Sequence, residues 1–276
     1  MQRRTVYWLL IAPALALILG LYVFPLLRVL WISVDDPVLG LQNYRLLITS
    51  HAIHHIVLTT ARICVLTTVI TMIGGYGVAY ALVHVNERQR RWMLLCVLLP
   101  FWISVLVRAF AWVTLLRPNG VLNSALLDLG IIHSPLELVR NEFGVVVGMV
   151  HYMLSYAILP LFANMRGIDR RLVAAARGLG AGPFTAYRRV FLPLSMPGIV
   201  SASVLVFVFS LGFFITPAIL GGGRTVMIAE YISANIRDNL RWGLATMLAS
   251  TLLITVFLTL GLLSRLVDVR KLFGAT

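Results

Sequence analysis

MRGIDRRLVAAARGLGAGPFTAYRRVFLPLS, residues 165–195, combines six arginines with a run of small residues and a glycine-proline turn, and it lies between two long apolar stretches. Ile168 to Leu179 reads as a short amphipathic helix, because Leu172, Ala175, Ala176 and Leu179 recur at three- and four-residue spacing and share a face. Gly180-Ala181-Gly182-Pro183 ends that helix and turns the chain. A second short helix, Phe184 to Phe191, leads to Leu192-Pro193 and Met196-Pro197, where the next apolar stretch begins. Two short helices joined by a sharp turn make a compact knob. Ala174, Ala175, Ala176, Gly178 and Gly180 are small enough to let it seat deep in another protein's groove.

On either side of this segment the chain is built for a bilayer. Of its 276 residues 60% are hydrophobic and 12% charged, and a mean hydropathy of +0.93 lies far above that of soluble domains. Hydrocarbon about 30 Å thick needs roughly 20 apolar residues of helix, which leave no backbone polar group unpaired in lipid. Six stretches qualify: Tyr7 to Val29, Ile56 to Val83, Trp92 to Leu115, Gly144 to Phe162, Gly198 to Leu220 and Gly243 to Leu266. The expected fold is an all-α membrane protein of six transmembrane helices in a single transmembrane domain, 1–276.

An even number of spans puts both termini on one side, and basic residues near span ends mark the cytoplasm. With the N-terminus inside, the inner segments hold Arg3, Arg4, Arg88, Arg90, Arg91, Arg166, Arg170, Arg171, Arg177, Arg188, Arg189, Arg265, Arg270 and Lys271. The outer segments hold Arg28, Arg45, Arg117, Arg140, Arg224, Arg237 and Arg241, offset by Asp35, Asp36, Asp128, Glu137, Glu142, Glu230 and Asp238. Both termini, and the knob, are therefore expected in the cytoplasm. The net charge of +13 sits where anionic lipid and this rule place it, which argues against nucleic acid as a partner.

Several chemistries lack their residues. No Asp or Glu falls inside a predicted span, whereas ion-coupled carriers rest on buried carboxylates or histidines. His151 is the one histidine well within a span and reads as a packing or path-lining group. The single lysine, Lys271, and a Gly221-Gly222-Gly223 run without a following Gly-Lys-Ser/Thr leave no nucleotide site, so the chain is not expected to hydrolyse ATP alone or to bind a cofactor of its own. Met1 to Gly20 has the basic start and apolar run of a secretory signal, but the run continues past the small residues at Ala14 to Ala16, so an uncleaved first helix is expected. His51, His54 and His55 read as a helix start capped by Ser50 rather than a metal site. Cys64 and Cys96 read as packing residues. Gly74-Gly75-Tyr76-Gly77 reads as a place of close helix approach. Arg62 and Arg108 lie toward the outer ends of their spans, within reach of the interface or of outer-loop acids. A self-sufficient secondary carrier and a non-transporting membrane scaffold remain alternatives at this stage.

The knob resembles the EAA loop of bacterial ATP-binding-cassette (ABC) importer permeases, whose pattern is Glu-Ala-Ala, three residues, Gly, nine residues, Ile, one residue, Leu-Pro. Here it aligns as Ala174-Ala175-Ala176, Gly180, Val190, Leu192 and Pro193, with every spacing kept and the Glu replaced by Ala174. Leu99-Pro100-Phe101-Trp102, Arg108-Ala109-Phe110-Ala111-Trp112, Pro118-Asn119-Gly120, Asn141-Glu142-Phe143-Gly144 and Phe214 to Gly222 are similar to the spermidine/putrescine (PotB/PotH-like) permease group.

That resemblance implies a type I importer (MetI-like) fold with a core permease unit of about residues 56–266 and a peripheral first helix. It implies a place in the bacterial inner membrane, a second permease subunit in a heterodimer, two cytoplasmic ABC ATPase subunits carrying ATP and Mg, and a periplasmic solute-binding protein. Arg170, Ala174, Ala175, Ala176, Arg177, Gly180, Pro183, Leu192 and Pro193 would couple to the ATPase. Trp102, Arg108, Trp112, Tyr152, Tyr156, Phe209, Phe213 and Phe214 would line the path of a small polar solute, a polyamine or a related amine or amino acid.

Overall fold

The computed structural model describes residues 3–266, with the backbone alone for residues 3–6, 9 and 262–266, Arg3, Arg4 and Arg265 among them; Arg270 and Lys271 lie outside the described residues. Every regular element among them is helical, and six helical stretches are long and apolar enough to cross a membrane. The chain divides into two compact units, one of residues 1–55 with 231–255, the other of 56–230 with the segment from Val256.

In the first unit, α1 (Arg3–Ile18), a π-helical turn (Leu19–Val23) and α2 (Phe24–Asp35) run on without interruption. Leu10, Leu17, Leu21, Tyr22 and Phe24 are all more than half exposed, as a helix facing lipid requires. After α3 (Gln42–Thr49) a polar knot closes the unit. The Asn43 side-chain amide donates to the Asp36 carbonyl at 2.7 Å, and the Tyr44 hydroxyl lies 2.9 Å from Ser33 Oγ. The Asp36 carboxylate accepts from the Gly243 N–H at 2.6 Å, filling one of the orphan donors at the start of α14 (Trp242–Leu266).

The second unit is organised by α8 (Glu142–Arg166), which packs against α5 (Glu87–Trp102), α6 (Val105–Leu116), α11 (Leu192–Leu211) and α12 (Ile215–Leu220). Asn141 starts α8 by accepting from the Gly144 N–H, and Ser155 Oγ donates across to the Val97 carbonyl on α5 at 2.8 Å. Small residues let its neighbours close in. A β-carbon at Gly75 of α4 (His51–His84) would meet Ala157 at 3.1 Å, and one at Gly148 would meet Leu220 at 2.5 Å and Thr216 at 2.6 Å. Around α8 the core holds Met149, Met153, Ala157, Leu161 and Met165, all fully or almost fully buried.

Three expectations are corrected. The third span, expected as one helix from Trp92 to Leu115, is α5 and α6 joined through extended backbone at Ile103 and Ser104. Pro100 has no N–H to give the carbonyl one turn back, so the last turn of α5 is already weakened. The fifth span, expected from Gly198 to Leu220, stops at Leu211 and resumes in α12 after Gly212 to Phe214, with Pro217 in the first turn of α12, where its missing donor costs nothing. The second helix of the knob, expected to end at Phe191, does not end there. α10 (Pro183–Ala186) passes through a π-helical turn (Tyr187–Phe191) straight into α11, the Leu192 N–H reaching back to the Tyr187 carbonyl. This wider turn accommodates Pro193 without a break.

Between α12 and α14 lies α13 (Ile228–Arg237), where Glu230 accepts from the Met227 backbone N–H. Its Oε2 is buried with no partner, and burial raises the carboxyl above its ordinary value of 4.5, the Met227 bond offsetting this only in part. A raised acid stabilises the fold fully below pH 4.5 and loses that contribution as pH rises through the folded value. Glu230→Gln is therefore expected to raise the thermal unfolding temperature of the detergent-solubilised protein at pH 8, with the gain over the parent shrinking toward pH 4.5. A gain that grew on acidification would contradict this sign.

Candidate translocation path and coupling segment

Two groups of residues stand out. The first is a cluster of rings on α6, α8 and α11. Tyr152 and Tyr156, one turn apart on α8, stack with centroids 5.4 Å apart and hydroxyls 3.3 Å apart. Phe209 of α11 meets Tyr156 edge-on at 5.2 Å, and Phe213, in the break after α11, lies 4.6 Å from Tyr152. From α6, the Arg108 guanidinium sits 4.5 Å above the Tyr152 ring, a cation–π contact. One turn on, the Trp112 indole N–H donates to His151 Nδ1 at 3.1 Å. An indole N–H only donates, so that nitrogen of His151 is the acceptor.

Six of the eight expected path residues thus meet: Arg108, Trp112, Tyr152, Tyr156, Phe209 and Phe213. Trp102 stands 90% exposed at the end of α5 and makes no ring contact among the described residues, and neither does half-buried Phe214. The neighbour of Trp102, Phe101, is the one that meets Tyr156, at 4.9 Å. His151, read from the sequence as packing or path-lining, joins the cluster through Trp112 and shares a small cavity with Arg108, Tyr152 and Thr216.

Electrostatically the cluster is unbalanced. Arg62 pairs with Glu142 as its position allowed, but Arg108 has no acidic partner among the described residues, and its Nε is buried without an acceptor. Both broken spans border this region, and irregular backbone at membrane depth persists where protein or a water-filled cavity covers it.

The second group is the knob. Asp169 caps α9 (Arg170–Gly178) by accepting from the Arg171 N–H at 2.9 Å. At its far end the Gly180 N–H donates to the Arg177 carbonyl and the Ala181 N–H to the Ala176 carbonyl, at 3.0 and 3.1 Å, a Schellman turn with Gly180 at φ +88°. Such a φ strains any residue with a β-carbon. Val173 and Ile168 pack onto the bundle core. The face expected to be apolar points away from the protein: Leu172 is 49% exposed, Leu179 90% and, just beyond, Phe184 71%.

The knob is also tied to α4. Arg90 donates to the Leu82 and Val85 carbonyls, and Arg170 to the Val83 carbonyl, so two arginines satisfy three of the orphan acceptors at the end of α4. Arg170, Ala174, Arg177 and Pro183 border one cavity between α4, α9 and α10, while Gly180 is exposed at the tip. Ala175 is exposed and Ala176 half-buried. Leu192 and Pro193 are the first residues of α11, on the same continuous helical rod as Pro183.

Residues 70–271 match the family of binding-protein-dependent transport system inner membrane components. The chain belongs to that family. It is a permease subunit of an ABC importer and a multi-pass protein of the inner membrane. The permease is 33% identical over 195 residues to the spermidine/putrescine transport system permease protein PotB of Haemophilus influenzae, covering 70% of this chain and 68% of that one. Its fold matches a permease chain of a bacterial ABC transporter that imports the acidic polysaccharide alginate, with a TM-score of 0.81 over 96% of each chain at 19% identity. A bacterial alginate ABC transporter in complex with an alginate pentasaccharide-bound periplasmic protein matches with a TM-score of 0.79 at 18% identity, over 96% of this chain and 94% of that one. At such identities the likeness is one of fold.

Proposed function

We propose that this permease forms one half of a translocation path for a small polar solute, a polyamine or a related amine or amino acid. Under this reading it pairs with a second permease subunit, takes its solute from a periplasmic solute-binding protein, and is driven by two cytoplasmic ATPase subunits that hold ATP and Mg. Both termini and the knob then face the cytoplasm, the core permease unit spans about 56–266, and the first helix is peripheral.

The observation that carries the reading is the knob itself, a cation-rich helix whose apolar side chains Leu172 and Leu179 face outward, ending in a positive-φ glycine at the motif spacing. An apolar stripe turned away from its own core needs an outside partner. Displacement of α9 has two rigid ways into the bundle. One is the Arg170 bond to the end of α4. The other is the continuous rod from Pro183 to Leu211, which packs along α8 and carries Phe209 against Tyr156. A push at the knob therefore moves the ring cluster on both sides of α8.

The amine part of the solute is supported by the names of the relatives. Within that class, the unpaired Arg108 favours a molecule that also carries a carboxylate, because a bare polycation would be repelled by it. In proteoliposomes holding both permeases and the ATPase, uptake is expected to require internal ATP and externally added loaded binding protein. Uptake that proceeds without ATP would mark a self-sufficient carrier, and an ATPase indifferent to loaded binding protein would mark a scaffold.

A further inference from the structure

The place where the chain departs from its family's motif is also a place where the structure has room. Ala174 borders a partly open cavity of about 330 Å³ lined by the end of α4, by α9 and by α10 with the π-helical turn after it. Arg170 and Arg177 lie one turn before and one turn after Ala174, so all three share a face of α9. Arg170 spends one nitrogen on the Val83 carbonyl, and Arg177 makes no side-chain bond among the described residues. Asp169, the one acid of the segment, is committed to capping α9, and no Asp or Glu borders the cavity. Its other walls include the rings of Tyr80, His84 and Tyr187.

A glutamate at position 174 would be three and four residues from two cations on one helix face and would pair with them internally. Alanine leaves those cations facing an open, partly apolar cavity. We propose, resting on the importer reading above, that the ATPase partner inserts an acidic side chain beside Ala174, its carboxylate meeting Arg177 and Arg170 and its stem lying against Tyr187. The charge of the segment fits, since Arg166, Arg170, Arg171, Arg177, Arg188 and Arg189 stand against Asp169 alone.

The test restores the motif. In the complex purified with its ATPase, Ala174→Glu would neutralise the two arginines from within and repel the incoming carboxylate. It is expected to weaken ATPase retention at least tenfold, while Ala174→Gln, of the same shape without the charge, stays within about threefold of the parent. Position 174 is exposed, and a monodisperse permease dimer in each variant checks folding. Retention unchanged or improved by Ala174→Glu, as expected if the alanine is a mere loss of the motif carboxylate or if an anionic lipid fills the cavity, would overturn the proposal. So would an equal loss with Ala174→Gln, which would make the effect steric. If the parent itself retains no ATPase, the importer reading fails and not only this inference.

Discussion

Gly180→Val is expected to lower ATP-driven uptake by the assembled transporter about tenfold or more while leaving membrane insertion and yield within about twofold. The Schellman turn needs φ +88° at this position, and a β-carbon there costs about 1–2 kcal/mol, with a β-branched residue at the upper end. No heavy atom lies within 4 Å of where that β-carbon would stand. The chain can therefore relieve the strain by opening the turn, and it keeps its fold. What changes is the direction in which α9 leaves α10, and with it the line along which a push is transmitted. Because about 1.4 kcal/mol is a factor of ten, a misdirected elbow of this cost is enough for the expected loss. Gly180→Ala should lie between the two. The measurements are uptake and permease-stimulated ATP hydrolysis in proteoliposomes, set against monodispersity in detergent. Uptake equal to the parent would remove the turn from the mechanism.

Arg108→Gln is expected to separate function from stability in opposite directions. An arginine within a span whose Nε is buried without an acceptor and whose main contact is the Tyr152 ring is a burden on the isolated fold. Its removal should leave thermal stability equal or higher. Uptake should fall, because truncating one partner of a desolvated charge pair costs about 2–5 kcal/mol, or roughly thirtyfold and upward. The loss should be selective: severe for a solute bearing both amine and carboxylate, slight for a diamine of the same length. Arg108→Lys keeps the charge but not the planar face lying on Tyr152, and should recover part of the uptake. Equal losses for both solutes would show that Arg108 supports the ring cluster and does not read the cargo.

Much of this was open to reading in the amino acids. The spans follow from apolar length, and the knob from a motif whose spacing survives the change of Glu to Ala174. The breaks at Ile103 and Gly212 were not visible, because hydropathy reports the solvent around a segment and not the continuity of its backbone. In the first, apolar residues continue on both sides, and Pro100 is a signal that many membrane helices tolerate. That Phe101 and not Trp102 meets the ring cluster was hidden for a related reason: neighbours on a helix point about 100° apart, and only packing decides which one faces the bundle. Trp112 and His151 are 39 residues apart in the chain, so no local pattern links them. Periodicity found the apolar stripe of α9 at Leu172 and Leu179, yet it could not tell a stripe that packs on its own core from one that is offered to a partner.

The most direct measurement is a photo-crosslink from the tip of the knob. With Cys64 and Cys96 replaced, Leu179→Cys carries a benzophenone maleimide at a position that is 90% exposed. If the knob is the ATPase receiver, illumination of the assembled transporter joins this residue to the ATPase subunit, and in intact cells a membrane-impermeant thiol reagent does not reach the unmodified cysteine. Labelling from outside intact cells, or a crosslink that never contains the ATPase, would contradict it.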